Sequence, residues 1–173
     1  MTTLKELIRE DRNYKSARRA LDNVKKNFIS RDIHDELFTL QASRGVSALR
    51  PNKILQSSLH VLLDTSTQEI ATRSRATTIK MTALRSLLSL EQVIDPLRKY
   101  LLIRYRKKFK AHGISGVTNE KNAVEDIMRL FYKEKRELDY IVKICDLVIE
   151  DTDAAGWGLK RISDTLEQAS KDK

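Results

Sequence analysis

One pattern constrains the fold more than any other. From Val124 through Ile127, Phe131, Glu134, Leu138, Ile141, Cys145, Val148, Thr152, Ala155, Leu159, Ile162 and Leu166, positions recur at alternating steps of three and four. Only Glu134 and Thr152 depart from apolar identity. An α-helix gathers such positions into one stripe, and a stripe that long calls for an equally long surface to cover it. Gly156-Trp157-Gly158 can interrupt the helix near its end, at a cost of roughly 1 kcal/mol per glycine relative to alanine.

A second seam is available to meet the first. Ala76, Ile79, Ala83, Leu87, Leu90, Ile94, Leu97 and Leu101 follow a heptad-like spacing with one irregularity. Twelve Ser and Thr lie between residues 57 and 89, which lowers intrinsic helicity and leaves this helix dependent on packing. Asp95-Pro96 either kinks it or ends one helix and starts another, because proline lacks an N–H and disfavours α geometry before it. Between the seams, His112–Asn119 reads as a turn with two glycines, and Thr118 or Asn119 can cap the next helix. The expectation is an all-α fold: a long antiparallel helical hairpin over residues 65–173 and a small N-terminal helical subdomain over residues 1–64. In that subdomain Thr3-x-x-Glu6 is a capping box for a first helix. Tyr14, Ala17, Leu21, Val24 and Phe28 mark a second helix. Ser30 caps a third, ended at Gly45, and a fourth begins near Asn52 after a Gly45–Pro51 loop.

Composition agrees with helices: a third of the residues are charged and only 5 Gly and 2 Pro punctuate them. No apolar run approaches bilayer length, and the N-terminus has no apolar core of a secretory signal. A single cysteine, Cys145, suits a reducing compartment. These features point to a soluble intracellular protein, cytoplasmic or nucleoid-associated, without integral membrane association.

The charge is uneven. Residues 1–118 hold 23 Lys and Arg against 11 Asp and Glu, whereas residues 119–173 hold 10 against 13. The densest basic stretch contains Arg98, Lys99, Arg104, Arg106, Lys107, Lys108 and Lys110, with no acid between Asp95 and Glu120. Tyr100, Tyr105 and Phe109 are interleaved. Cations there can neutralise phosphates while Tyr105 and Phe109 stack on unpaired bases. An anionic membrane surface, an acidic protein partner or a solvated helix end are the other readings, the last because cations also favour a helix C-terminus. Weaker basic stretches add Arg18 and Arg19, and Lys80 and Arg85.

Catalytic chemistry finds little footing, and neither a cofactor nor a metal is expected. His34, His60 and His112 are scattered, and Cys145 falls on the apolar seam as a buried thiol. Asp146, Glu150, Asp151 and Asp153 lack an EF-hand pattern and read as a solvated face. There is no phosphate-binding glycine loop. Trp157 reads as a packing anchor, with an interface or base-stacking role as the alternative.

Two segments resemble UvsY-type recombination mediators of phages. Thr77-Thr78-Ile79-Lys80-Met81-Thr82-Ala83-Leu84-Arg85 is similar to the polar and basic opening of that family's long helix. Gly156-Trp157-Gly158-Leu159-Lys160-Arg161-Ile162 is similar to its closing helix. The resemblance implies a ring-like homo-oligomer that binds single-stranded DNA and contacts other DNA-processing proteins. The residues together predict a non-enzymatic nucleic-acid-binding accessory protein, a recombination or replication mediator on single-stranded DNA. A structural or assembly subunit of a viral or multiprotein particle is the alternative. The length of the 124–166 seam also predicts a homo-oligomer, unless residues 76–101 and the N-terminal helices bury it within one chain.

Overall fold

A computed structural model describes residues 3–29, 33–47 and 59–171. Every element among them is an α-helix: α1 (Leu4–Arg9), α2 (Arg12–Ile29), α3 (Ile33–Ser47), α4 (Leu59–Arg104), α5 (Arg106–Ala111), α6 (Val117–Ile127) and α7 (Arg129–Lys171). The fold is all-α, a long antiparallel hairpin with smaller N-terminal helices. No described helix is long and apolar enough to cross a membrane.

The chain divides into two units, one made of residues 1–31 and 83–140 and the other of residues 32–82 and 141–173. This division does not coincide with the expected boundary at residue 64. Helices α1 and α2 belong to the first unit and α3 to the second.

In the first unit Ile8, Tyr14, Ala17, Leu21 and Val24 from α1 and α2 are buried with Leu90, Ile94, Leu97 and Leu101 of α4. Val124, Ile127, Met128, Phe131 and Leu138 complete that core. The rings of Tyr14 and Phe131 meet edge to face at 5.9 Å between centroids and 77° between planes, a favoured aromatic geometry. Lys135 bonds Glu91 at 2.5 Å and Arg98 reaches Glu125 at 3.8 Å. Moving forward on α4 thus means moving back along α7 and α6, the signature of antiparallel neighbours.

In the second unit Ile33, Leu37, Leu62, Ala76 and Ile79 are buried, as are Ile141, Ile144, Cys145, Val148 and Leu159. Leu62 packs on Leu159 with Ile162 alongside. Here too the register runs antiparallel, with Lys80 to Asp146 at 2.5 Å and Arg73 to Asp153 at 2.7 Å.

At Asp95-Pro96, where the sequence allowed either a kink or a break, α4 continues as one helix. The missing N–H costs about 3 kcal/mol in a helix interior, and burial of Leu90, Ile94, Leu97 and Leu101 around it offsets that at roughly 1.5–3 kcal/mol each. Likewise α7 runs unbroken through Gly156-Trp157-Gly158, held by the buried Thr152 and Leu159 on its seam. The seam is instead interrupted at Met128, a buried residue with φ −87° and ψ 7° that separates α6 from α7. No glycine or proline marks that spot. α3 passes Gly45 and reaches Ser47, while the expected Ser30 cap and the helix start near Asn52 lie outside the described residues.

The hairpin turn matches its reading from His112 to Gly116, while α6 already begins at Val117. Gly113 takes φ +76° and Gly116 φ +94°, backbone that favours glycine. The amide of Ile114 donates to the Phe109 carbonyl at 2.9 Å and that of Gly113 to Lys110 at 3.0 Å. Those two bonds form a Schellman closure. The cap of α6 is Gly116, with no side-chain bond from Thr118 or Asn119; the Asn119 amide donates instead to the Ser115 carbonyl at 2.9 Å.

Most of the long seam is buried within one chain: its positions from Val124 to Val148, with Thr152 and Leu159. Ala155 and Ile162 are half-buried and Leu166 is 37% exposed, so the chain's own helices cover the seam through Thr152 and at Leu159 but leave its C-terminal end partly open.

Candidate nucleic-acid interface

Leu97, Leu101, Tyr105 and Phe109 step by four residues, and all four are buried. They form the inward stripe of the end of α4 and of α5. The seven cations occupy the remaining positions, so Lys99, Arg104, Arg106, Lys107, Lys108 and Lys110 are exposed and Arg98 is half-buried. The same spacing corrects the stacking role. Tyr105 is 5% exposed and Phe109 is 0% exposed, so neither ring offers a face to a base. Alternation of aromatic and basic residues reflected packing inside and charge outside.

Tyr105 also separates α4 from α5, with φ −102° and ψ 3°. Its position is fixed by a carboxylate that lacks any local sequence signal. Asp11, immediately before α2, accepts hydrogen bonds from the Tyr105 hydroxyl at 2.8 Å and the Tyr100 hydroxyl at 2.9 Å. It also accepts from the Asn13 amide at 2.8 Å, as a residue preceding a helix does. Burial raises the Asp11 carboxyl, but the Tyr105, Asn13 and Tyr100 hydrogen bonds together outweigh it and hold the group below its ordinary range. The Tyr105 phenol is pushed up to about 12, first by burial and then by the bond to Asp11. The clamp ties the N-terminal helices to the root of the basic segment.

Two of the seven cations have acidic partners. Arg98 lies 3.8 Å from Glu125, and Arg106 lies 3.8 Å from the buried Glu120. Lys99, Arg104, Lys107, Lys108 and Lys110 have no acidic partner among the described residues. The Lys108 ammonium lies 5.6 Å from the Tyr105 ring centroid, a cation–π distance. The His112 ring nitrogen Nδ1 is 2.9 Å from the Lys108 carbonyl, which places that histidine in a cap rather than a ligand set.

The weaker basic positions separate. Arg85 and Arg19 are exposed in the first unit and Arg18 is half-buried there. Arg18 lies 3.3 Å from Asp22, while Arg18 and Arg19 line a groove with Arg9 and Lys15. Lys80 belongs to the second unit and is held by Asp146. The acidic face of α7 is therefore partly spent on cations of α4, since Asp153 holds Arg73. Among the described residues no cluster of three or more His, Cys, Asp or Glu could hold a metal ion.

Trp157 is not a packing anchor: it is 67% exposed. The seam positions on either side of it, Thr152 and Leu159, turn inward, and Trp157 lies off that stripe. With Ile70, Arg73, Asp153, Gly156 and Lys160 it borders a cleft of about 310 Å³ in the second unit. Comparison with known proteins finds no match for this chain: no family model, no curated protein and no solved structure is significantly similar to it.

Proposed function

We propose that the chain is a non-enzymatic nucleic-acid-binding accessory protein whose phosphate contacts come from the end of α4 and from α5. One observation carries this reading. Five neighbouring cations, Lys99, Arg104, Lys107, Lys108 and Lys110, have no acidic partner among the described residues, on a segment whose apolar side is buried. A solvated helix end needs one or two cations to complement its dipole, and a phosphate polymer rewards a cluster. Arg85, Arg18 and Arg19 extend the same unit. The preference for single-stranded DNA, and with it a role as a recombination or replication mediator, rests on the likeness of residues 77–85 and 156–162 to UvsY-type mediators, since Tyr105 and Phe109 no longer supply it.

Salt dependence tests the reading. Five phosphate contacts on a single strand give a log–log slope of roughly −3.5. Replacing Arg104, Arg106, Lys107 and Lys108 with glutamine leaves Lys99 and Lys110, and the slope should fall to roughly −1.4. Anisotropy titrations of single-stranded DNA, duplex DNA and RNA across a salt series measure both. A folded quadruple variant that binds every polymer as tightly as the parent removes this segment from the interface.

A second reading, a structural or assembly subunit, is favoured by Ile70 and Trp157, which stand 65% and 67% exposed beside one cleft. Self-association belongs with these exposed residues rather than with the buried seam. Light scattering on the parent and on Trp157→Ala reports it.

A further inference from the structure

A second collection of positive charge surrounds a hollow rather than a convex face. Arg9, at the end of α1, and Lys15, Arg18 and Arg19, on one face of α2, line a groove of about 580 Å³. Tyr14 and Leu130 supply the rest of its lining. Lys15 is paired with Glu10 and Arg18 with Asp22, but Arg9 and Arg19 have no acidic partner among the described residues. Leu130 remains 42% exposed at the same groove. Grooves of this size suit small molecules, and this open one places two exposed arginines next to a part-exposed aliphatic side chain.

We infer that this groove binds a nucleoside phosphate, with the guanidinium groups of Arg9 and Arg19 on the phosphate oxygens and the sugar or base against Leu130. Arginine presents a planar fork of donors that matches phosphate oxygens two at a time. A bare inorganic anion would leave Leu130 wet, and an uncharged apolar molecule would leave both arginines unused. The site stands on the groove alone and does not depend on strand binding by α5. The nucleoside phosphate can be a free nucleotide or the 5′-phosphorylated end of a strand.

Calorimetric titration of the full chain tests this with four probes: ADP, inorganic pyrophosphate, and a short oligodeoxythymidylate with and without a 5′-phosphate. ADP should bind more tightly than pyrophosphate. The Arg9→Gln, Arg19→Gln double variant should lose about tenfold or more in affinity, the scale of charge-assisted hydrogen bonds removed. The quadruple glutamine variant of α4 and α5 should keep ADP binding, so failure of the strand interface and failure of this groove are told apart. A preference for the 5′-phosphorylated over the 5′-hydroxyl strand assigns the strand end, and ADP binding without that preference assigns the free nucleotide. The inference is overturned if the parent neither binds ADP nor discriminates the 5′-phosphate, or if the double variant, folded by circular dichroism, binds like the parent. Pyrophosphate binding as tightly as ADP overturns the assignment of a nucleoside.

Discussion

The end of α4 with α5, and the stretch of α7 around Trp157, use the same ingredients in opposite ways. In the first, Tyr105 and Phe109 point into the core while five cations face solvent without acidic partners among the described residues. In the second, Trp157 stands in solvent with the Lys160 ammonium 5.8 Å from its ring, and the cations opposite are matched: Arg73 with Asp153, Lys80 with Asp146, Arg75 with Glu36. Residues 70–90 contain no acid of their own, yet three of their four cations are neutralised by carboxylates from α7 and α3. Charge density along a chain and free charge on its surface are therefore different quantities, and antiparallel register converts one into the other. The first region offers electrostatic attraction without exposed aromatic area; the second offers aromatic area with little net attraction.

The strongest way to break this comparison is to remove the core that both regions share in kind. Leu138 belongs to the first unit and Ile141 to the second, and each is 1% exposed. Leu138→Asp or Ile141→Asp buries an unpaired carboxylate and should destabilise by more than about 4 kcal/mol. Circular-dichroism melts will show whether each variant loses all of its helix or only the share of one unit, the second outcome making the units separate cooperative bodies.

The aromatic half of the contrast is next in size. Phe109→Ala should cost about 3–5 kcal/mol, the range for emptying a buried aromatic site. Trp157→Ala, at an exposed position, should stay within about 0.5 kcal/mol. Equal losses in denaturant titrations would erase the distinction.

The Asp11 clamp should matter less, and its pH dependence has a definite sign. Asp11→Ala removes hydrogen bonds from two tyrosines to a charged acceptor and should cost about 1.5–3 kcal/mol near neutrality. Because the folded Asp11 carboxyl lies below its ordinary range, its contribution is complete above a pH of about 4 and fades as pH falls through the folded value. The Tyr105 phenol is raised to about 12, so its share is complete below a pH of about 10 and fades as pH climbs toward that value. Asp11→Ala should flatten the acid limb of a stability–pH curve and Tyr105→Phe the alkaline limb.

The smallest effect belongs to the matched cations. Arg73→Gln with Lys80→Gln should leave the denaturation midpoint almost unchanged, as loss of exposed or half-exposed ion pairs does. Nucleic-acid affinity should barely change, in contrast to the quadruple variant at 104–108. A loss comparable to that of the quadruple variant would place the interface on the second unit as well.

Periodicity made the hairpin legible: Ala76, Ile79, Ala83, Leu90, Ile94, Leu97 and Leu101 on one side, and Val124 to Thr152 with Leu159 on the other, are buried where their spacing puts them, with Leu87 and Ala155 half-buried. The capping box of Thr3 and Glu6 and the positive-φ glycines of the turn were equally local and equally readable. Local rules misjudged Gly156-Trp157-Gly158, where tertiary burial outweighed helix propensity, and Met128, whose break has no breaker residue. At Pro96 only the alternative of two separate helices is removed. The candidate site was legible as cations only. Which of them stay free depends on Glu120, Glu125, Asp146 and Asp153, whose opposition to Arg106, Arg98, Lys80 and Arg73 exists only after the hairpin closes. Asp11 and its two tyrosines are separated by most of the hairpin's first arm, and no short motif announces such a contact.

Cys145 gives the molecule a built-in clock. It is the only cysteine in the chain, fully buried, and its thiol is pushed up to about 11, first by burial and then by Asp146, against the pull of Lys80. Thiol reagents attack the thiolate, so at neutral pH the closed protein should be almost inert and labelling should proceed only through molecules whose second unit has opened. When closing is fast relative to modification, the labelling rate divided by that of the denatured chain is the opening equilibrium constant of that unit. The native sequence thereby reports its own breathing, without any engineered probe.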